Sequence, residues 1–209
     1  MNFIINKFKK RFGYWTPRYI YNRINLMIDE FLHPEWPWLT KEAVLLLERL
    51  LKPDDIGLEF GSGRSTIWFA ERVKKLISTE HDNFWFEKIN KKLKEKELIN
   101  KVDYKLKNEN NYLDILNDIK DNSVDFVLID GLQRDVCASK IIPKLNSGGL
   151  LIIDNINWFI PSKSYSPNSK RDNNFESKIW QNIWEKEIKD WRKIWTSNGV
   201  TDTLIAFKK

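Results

Sequence analysis

The sequence contains very little cysteine and no long apolar run. Cys137 is the single cysteine among 209 residues, which excludes an internal disulfide. No stretch of 18 apolar residues is present that could cross a bilayer as a helix. The first residues place apolar side chains before basic ones, the reverse of a secretory leader. Together with a hydrophobic content of 42%, these features predict a cytoplasmic protein that buries its own core.

The N-terminal part of the chain contains no acidic residue before Asp29. The formal net charge of the whole chain is +6, so the excess of basic residues is unevenly distributed. Basic and aromatic residues alternate before it, and we interpret residues 1–38 as a helical extension. The favoured hypothesis is a helix that packs on its own domain and covers a ligand cleft. Contact of residues 1–28 with an anionic membrane surface, which would make the protein membrane-peripheral, comes second. Nucleic acid comes third because no binding motif accompanies the charge.

From residue 56 onward, short apolar runs alternate with amphipathic stretches. The runs that predict strands are residues 56–60, 75–79, 102–106, 125–129 and 150–153. Such runs separated by helices predict a parallel sheet that is buried on both faces. Two further strands at 193–196 and 203–207 are joined by a link so short that they must be antiparallel. The predicted class is therefore α/β: a Rossmann-like, doubly wound sheet of seven strands, mostly parallel, with a C-terminal antiparallel hairpin.

The loop after the first strand contains two glycines. Gly61 permits a tight turn and Gly63 lets a ligand approach the backbone amides at the start of the next helix. The third glycine of the dinucleotide fingerprint is replaced by Thr66, which follows Ser65. A pyrophosphate needs mostly amide donors, whereas the methionine part of S-adenosylmethionine needs donors and acceptors. Glu59, at the end of the strand, can accept from its ammonium group, but the loop alone supports only a nucleotide cofactor. Thr66 in place of the third glycine, an acidic residue on the second strand and the closing hairpin narrow the prediction towards S-adenosylmethionine.

An acidic residue at the end of the second strand strengthens the prediction of a nucleoside cofactor. Glu80 follows Glu59 by 21 residues, the position from which a carboxylate binds the two ribose hydroxyls. His81 comes next and is expected to pack or hydrogen-bond beside the adenosine. Asn110, one of three polar residues after the third strand, is the candidate for recognition of the adenine amino group.

These motifs resemble those of class I S-adenosylmethionine-dependent methyltransferases, in particular a bacterial group with the pattern GSG-x-ST-x-W-x-A followed by S-x-E-H-D-x-x-W. The residues that carry the likeness are 59–70, 77–85, 125–131 and 145–155. The resemblance implies that residues 39–209 form a methyltransferase domain, with the cofactor across the ends of strands one, two and four. It also implies a small-molecule or glycan acceptor.

Polar residues end the fourth and fifth strands at the same edge of the sheet. Asp130, Asp154 and Asn155 match residue by residue the ligands of Mg²⁺ in catechol O-methyltransferase-like enzymes, and such oxygens suit this cation. The resemblance implies that the metal would bind two vicinal hydroxyls and lower the pKa of one. The lysine base of those enzymes is replaced by Gln133, followed by Arg134, which leaves Asp130 as the candidate base. The favoured alternative is that Asp130 positions the substrate or the cofactor, while Asp154 and Asn155 only turn the chain.

The sequence therefore predicts methyl transfer to an oxygen or nitrogen atom of a small or carbohydrate-like acceptor. Trp158 and Phe159 are candidates for a lid over this acceptor. A polar run with Lys163, Lys170 and Arg171 suggests an acidic or phosphorylated acceptor. Two alternatives from other classes stay open, a non-catalytic cofactor-binding module and a nucleotide-cofactor oxidoreductase.

Overall fold

A seven-stranded sheet forms the centre of the molecule, as a computed structural model that describes residues 15–209 shows. The strands are β1 Ile56–Phe60, β2 Lys75–Glu80, β3 Val102–Leu106, β4 Val124–Ile129, β5 Leu145–Asp154, β6 Arg192–Ser197 and β7 Asp202–Phe207. Their order in the sheet is β3-β2-β1-β4-β5-β7-β6. The first five strands are parallel, and β7 is antiparallel to both of its neighbours. The predicted fold class is confirmed.

Helices cover both faces of this sheet. Within the described residues the α-helices are α1 Pro17–Leu32, α2 Lys41–Leu50, α3 Arg64–Ala70, α4 Asn83–Glu95, α5 Arg134–Ile141 and α6 Lys178–Lys186. Short 3₁₀ helices at Glu109–Leu116 and Ile156–Trp158 follow β3 and β5. Because parallel strands end at the same edge, the loops after β1, β2, β4 and β5 all lie on one side of the molecule.

Side chains of β4 show why most positions of the central strands are apolar. Val127 and Ile129 are fully buried in the core on one face of the sheet, and Phe126 and Leu128 are fully buried in the core on the other. Neighbouring residues of a strand point to opposite faces, so a strand covered on both sides has few polar positions, and in β4 the single one is half-buried Asp125. Gly57 on β1 completes this packing, because a Cβ there would lie 2.0 Å from the Phe126 ring.

The fifth strand begins earlier than the predicted 150–153. Leu145 already pairs with Val124, and a register shift separates this pair from the regular ladder that starts at Leu150. Gly148, with φ +78, lies within the irregular part. The glycines interrupt the apolar run, which is why the apolar pattern alone does not reveal the first half of the strand.

The segment before β1 is attached to the C-terminal hairpin. Buried Thr40 donates its backbone N–H to Thr203 Oγ1 at 3.2 Å, and its hydroxyl is hydrogen-bonded to Thr196 Oγ1. On α1, Asn22 lies against the β6–β7 turn, where a Cβ on Gly199 would be 2.0 Å from its Nδ2 atom. These contacts place α1 and the residues that follow it over the ends of β5 and β6.

The N-terminal extension is seen in part, because residues 1–14 lie outside the described residues. None of the α1 side chains is buried. Its large exposed apolar side chains are Ile20, Tyr21, Ile24, Met27, Ile28, Phe31 and Leu32. Between residues 15 and 209, no helix is both long and apolar enough to cross a membrane. Contact of residues 1–28 with a membrane surface stays a prediction that falls partly on the undescribed residues.

Candidate cofactor and acceptor sites

The two glycines after β1 have different structural roles. Gly61 has φ +90, and a Cβ there would lie 2.7–2.9 Å from the backbone of Asp130 and Gly131. The loops after β1 and β4 therefore approach each other so closely at Gly61 that no side chain fits between them. At Gly63 a Cβ would meet nothing closer than 3.7 Å, so the protein itself does not require glycine at this position. Gly63 is buried, and an added Cβ would make only ordinary contacts there, so the approach of a ligand to its backbone stays a prediction. We call residues 61–63, 65–66 and 80–82 the cofactor edge.

Glu59 is fully buried directly below the glycine loop. Its Oε2 atom accepts hydrogen bonds from Thr66 Oγ1 at 2.6 Å and Ser78 Oγ at 2.7 Å. Among residues 15–209, its Oε1 atom has no partner. Burial raises the pKa of Glu59 to about 7, while hydrogen bonds from Ser65, Thr66 and Ser78 oppose the rise. A buried acceptor without a donor suits the ammonium group of S-adenosylmethionine, directly or through water.

The place of the third fingerprint glycine has a different use here. The Thr66 hydroxyl accepts the backbone N–H of Gly63 at 2.9 Å while it donates to Glu59. One of the amides that would bind a pyrophosphate is therefore already occupied. This arrangement fits a cofactor without a pyrophosphate.

Glu80 is almost completely buried at the end of β2, and the protein supplies donors to both of its oxygens. Oε2 accepts from the Ser62 backbone at 3.0 Å and from its hydroxyl at 2.8 Å. Oε1 accepts from the backbone of His81 and Asp82 at 2.8 and 2.9 Å, and His81 Nδ1 lies 2.9 Å away. A ribose would have to share these oxygens or displace the Ser62 hydroxyl, and the ribose-binding role of Glu80 and the cofactor contact of His81 stay predictions.

Ser62 connects the two halves of the cofactor edge, a role that sequence reasoning missed. Its hydroxyl lies 2.6 Å from Tyr104 Oη on β3, and its carbonyl accepts from Trp85 Nε1 at 2.6 Å. Burial raises the pKa of Tyr104, so this phenol stays protonated. The position of Ser62 between two glycines could have indicated this role, because the turn fixes the direction of a side chain at that position.

The loop after β3 favours a neighbour of the predicted adenine ligand. Asn110 is exposed, and its backbone N–H donates to Asn108 Oδ1 at 3.0 Å. By contrast, Asn111 Oδ1 is buried and has no partner within the described part of the chain. Gln133 after β4 donates to the carbonyl of Glu109 at 3.1 Å and fixes this loop against the sheet edge. Asn111 is therefore the better-placed candidate for the adenine amino group.

Arg134 gathers the residues at the ends of β4 and β5. Its Nη2 atom forms an ion pair with Asp130 Oδ1 at 2.8 Å. Its Nη1 atom donates to Asn155 Oδ1 at 3.1 Å and to the backbone carbonyl of Asp154 at 2.9 Å. The predicted metal ligands thus come together, but around a guanidinium group.

The two carboxyl groups of this cluster differ in exposure. Asp130 is partly exposed, and burial raises its pKa although the ion pair with Arg134 opposes the rise. Asp154 is buried, accepts from Thr203 Oγ1 at 3.1 Å, and has a pKa raised to about 8 by burial and by the charge of Asp130. A cluster in which an arginine contacts both Asp130 and Asn155 does not fit Mg²⁺. Within residues 15–209 there is also no cluster of three histidine, cysteine or acidic side chains arranged for a metal.

A cavity of about 760 Å³ lies beside this cluster, between α1 and the ends of β5 and β6. We call it the N-terminal cavity. Its polar and aromatic lining includes Trp36, Trp38, Arg64, Asn155, Trp158 and Asn198. Asn155 accepts a hydrogen bond from Arg134, and Arg134 is paired with Asp130. The side chain of Arg134 therefore connects the cavity wall to Asp130. The volume is in the range of small-molecule sites, which is roughly 300–1,000 Å³.

Only one residue of the predicted lid lines this cavity, and the basic residues of the 163–171 run do not. Trp158 lines it, whereas Phe159 packs on Trp180 with ring centroids 5.2 Å apart. Arg171 donates to the backbone carbonyls of its own loop, and neither it nor Lys163 nor Lys170 is part of the lining formed by the described residues.

Comparisons with known proteins point to the methyltransferases. A family model described as a methyltransferase domain matches residues 58–156. No curated protein matches the chain.

Solved structures of similar fold include a methyltransferase from Geobacter sulfurreducens, with 16% identity, a TM-score of 0.57 and coverage of 90% of this chain and 88% of that one. An O-methyltransferase from Bacillus cereus in complex with S-adenosylhomocysteine has 17% identity, a TM-score of 0.58 and coverage of 79% and 78%. The O-methyltransferase TomG from Streptomyces achromogenes in complex with S-adenosylmethionine has 17% identity, a TM-score of 0.57 and coverage of 79% and 77%. At these identities the likeness establishes the fold.

Proposed function

We propose that this chain, a class I S-adenosylmethionine-dependent methyltransferase, transfers the methyl group to a hydroxyl oxygen of a small-molecule acceptor. The observation that carries the choice of oxygen is Asp130. It is a partly exposed carboxyl group at the end of β4 with a raised pKa, and it shares Arg134 with Asn155 on the cavity wall. The similar structures from Bacillus cereus and Streptomyces achromogenes, both O-methyltransferases, support this choice.

In the proposed reaction the acceptor oxygen attacks the methyl carbon in line with the sulfur atom. A carbon–oxygen bond forms, the carbon–sulfur bond breaks, and the electron pair of that bond stays on sulfur in S-adenosylhomocysteine. The hydroxyl proton moves to Asp130, whose raised pKa makes it a stronger base than an exposed aspartate. Arg134 binds Oδ1 of Asp130, which leaves Oδ2 for this proton. Most of the rate enhancement then comes from holding the two reactants in line.

Cofactor binding in this proposal uses the groups at the cofactor edge. The Glu59 oxygen that is unpaired within the described residues receives the ammonium group, and the methionine part lies against the backbone of Gly63, where a Cβ would meet nothing closer than 3.7 Å. Glu80 binds the ribose in exchange for the Ser62 hydroxyl, and Asn111 accepts from the adenine amino group. The oxidoreductase alternative is set aside because the Gly63 amide is already bonded to Thr66.

Three further predictions concern features outside the proposed reaction and also stay predictions. They are a glycan as the acceptor, membrane contact through residues 1–28, and a domain boundary between residues 38 and 39. The proposed reaction depends on none of them.

Two measurements separate the proposal from its alternatives. Calorimetry with S-adenosylhomocysteine comes first, and we expect micromolar binding that is weakened by Glu80→Gln in a protein that still melts cooperatively. Methyl transfer from radiolabelled S-adenosylmethionine to panels of phenols, sugars and amines comes second. Absence of cofactor binding would overturn the proposal. Binding without transfer to any panel favours the non-catalytic module, and transfer only to amines would contradict the choice of oxygen.

A further inference from the structure

Arg64 and Asn198 both line the N-terminal cavity, and each has one buried hydrogen-bond donor that finds no acceptor among residues 15–209. We propose that this cavity binds an anionic group of the acceptor, a carboxylate or phosphate, through Arg64 and Asn198. The identification of the ligand as the methyl acceptor rests on the proposed function. The inference that the cavity binds an anion rests only on the geometry of the cavity.

Arg64 is the first residue of α3 and its guanidinium group is held between the cavity and an aromatic ring. Its carbon Cζ lies 5.1 Å from the centroid of the Trp38 ring, within the range of a cation–π contact. Its Nη1 atom is buried and has no hydrogen-bond partner among residues 15–209. A buried guanidinium N–H without an acceptor is costly, and bound anions are the usual partners of such groups.

Asn198 supplies the second donor from the turn between β6 and β7. Its Oδ1 atom accepts from the backbone of Val200 and of Thr201, each at 2.9 Å. These two bonds fix the orientation of the amide, because the reversed amide would place its NH₂ group against two N–H donors. The Nδ2 atom is therefore the group left over, and within the described residues it is buried and unpaired.

The combination of the two donors defines the ligand chemistry. Both groups donate, so the matching ligand group is one whose oxygens only accept, as in a carboxylate or phosphate. The lining also contains carboxylates, but Asp29 is paired with Lys41 at 2.7 Å. Glu30 and Glu42 line the rim without an ion pair to Arg64. The sequence suggested that the basic residues of the 163–171 run bind an acidic acceptor. The inference from the structure assigns this role to Arg64 instead.

One other anion could use Arg64, the methionine carboxylate of the cofactor itself. The lining of the cavity favours the acceptor, because it combines Arg64 with α1 and with the loops after β5 and β6. Glu59 and Glu80 are not part of the lining that the described residues form. The experiment has to distinguish the two sources.

The test is calorimetric titration of acetate, benzoate, sulfate and inorganic phosphate into the full-length protein, with and without S-adenosylhomocysteine, against chloride at constant ionic strength. We expect at least one anion to bind, with an affinity at least tenfold lower in Arg64→Gln and partly restored in Arg64→Lys. Asn198→Asp keeps the acceptor for the turn but replaces the donor by a charged oxygen, so it should weaken anion binding as strongly. Arg49→Gln, which removes an exposed cation from α2, is the matched control and should bind as the wild type does.

Two outcomes would overturn the inference. One is that none of the four anions binds in a manner that depends on Arg64. The other is that Arg64→Gln weakens S-adenosylhomocysteine tenfold but leaves 5′-methylthioadenosine, which lacks the carboxylate, unchanged, since the cofactor would then be the source of the anion. Failure of the wild type to bind S-adenosylhomocysteine overturns the proposed function instead, because anion binding is also measured without it.

Discussion

The cofactor edge and the N-terminal cavity lie at the same end of the sheet but differ in how their polar groups are satisfied. At the cofactor edge, Thr66, Ser62 and backbone amides supply donors to Glu59 and Glu80. In the cavity, donors of Arg64 and Asn198 have no acceptor within residues 15–209. The protein itself satisfies most polar groups of the first region, with Glu59 Oε1 as the exception among the described residues. In our proposal an anionic ligand completes the second region, which places specificity for the acceptor there.

The cluster between the two regions gives the largest expected effect. Arg134→Gln removes the cation that Asp130 faces and leaves the carboxyl groups of Asp130 and Asp154 close together without compensation. We expect a loss of about 3–4 kcal/mol in the free energy of unfolding, because the variant loses the ion pair and the charged hydrogen bonds from Arg134 to the carbonyls of Asp130, Gly131 and Asp154. Urea denaturation measures it. Arg134→Lys is the control and should recover part of the loss, and equal stability of the Gln variant and the wild type would contradict the ion-pair role.

A pair of glycine variants separates packing from ligand binding at the cofactor edge. Gly61→Ala introduces a Cβ 2.7 Å from backbone atoms at φ +90, so we expect a loss of about 2–3 kcal/mol in unfolding free energy. In Gly63→Ala the new Cβ meets nothing closer than 3.7 Å, so the change should cost less than about 1 kcal/mol. Calorimetry should nevertheless show weaker binding of S-adenosylhomocysteine to Gly63→Ala. Unchanged affinity would show that the cofactor does not approach the backbone at Gly63.

Two neighbouring asparagines sharpen the description of the adenine end. We expect Asn111→Ala to lower the affinity for S-adenosylhomocysteine about tenfold, because it removes a buried acceptor that the protein leaves unpaired. Asn110→Ala, at an exposed side chain, should leave the affinity unchanged. Calorimetry on both variants is the measurement, and the reverse order of effects would restore Asn110 as the ligand.

The smallest effect concerns the pH dependence of stability. Because the folded-state pKa of Glu59 is raised to about 7 and that of Asp154 to about 8, the folded protein binds these protons more tightly than the unfolded chain. Their contribution to stability is full below about pH 4 and is lost as the pH rises through 7 to 8. Glu59→Gln cannot ionise, so its melting temperature should fall less between pH 5 and pH 8, by about 3 °C. Parallel curves for the two proteins would contradict the raised pKa of Glu59.

The fold and the cofactor edge were predictable because their determinants are short-range. A turn with positive φ requires glycine at position 61, and the Ser62 hydroxyl meets Glu80 only 18 residues later. Apolar runs of strand length and the short link between β6 and β7 likewise predict the sheet from local pattern. The first half of β5 was missed since its pairing with β4 depends on a register shift that no local pattern shows.

By itself the amino-acid sequence determined the order of strands and helices, the cofactor loop and the acidic residues at the strand ends. Only the tertiary structure showed that Arg134 contacts Asp130 and Asn155, that the Oδ1 atom of Asn111 is buried whereas Asn110 is exposed, and that Arg64 lines a cavity. The physical reason is range. The cavity exists because contacts such as Thr40 to Thr203, 163 residues apart, bring the N-terminal segment over the hairpin. Whether a donor is paired depends on every neighbour that such contacts bring close.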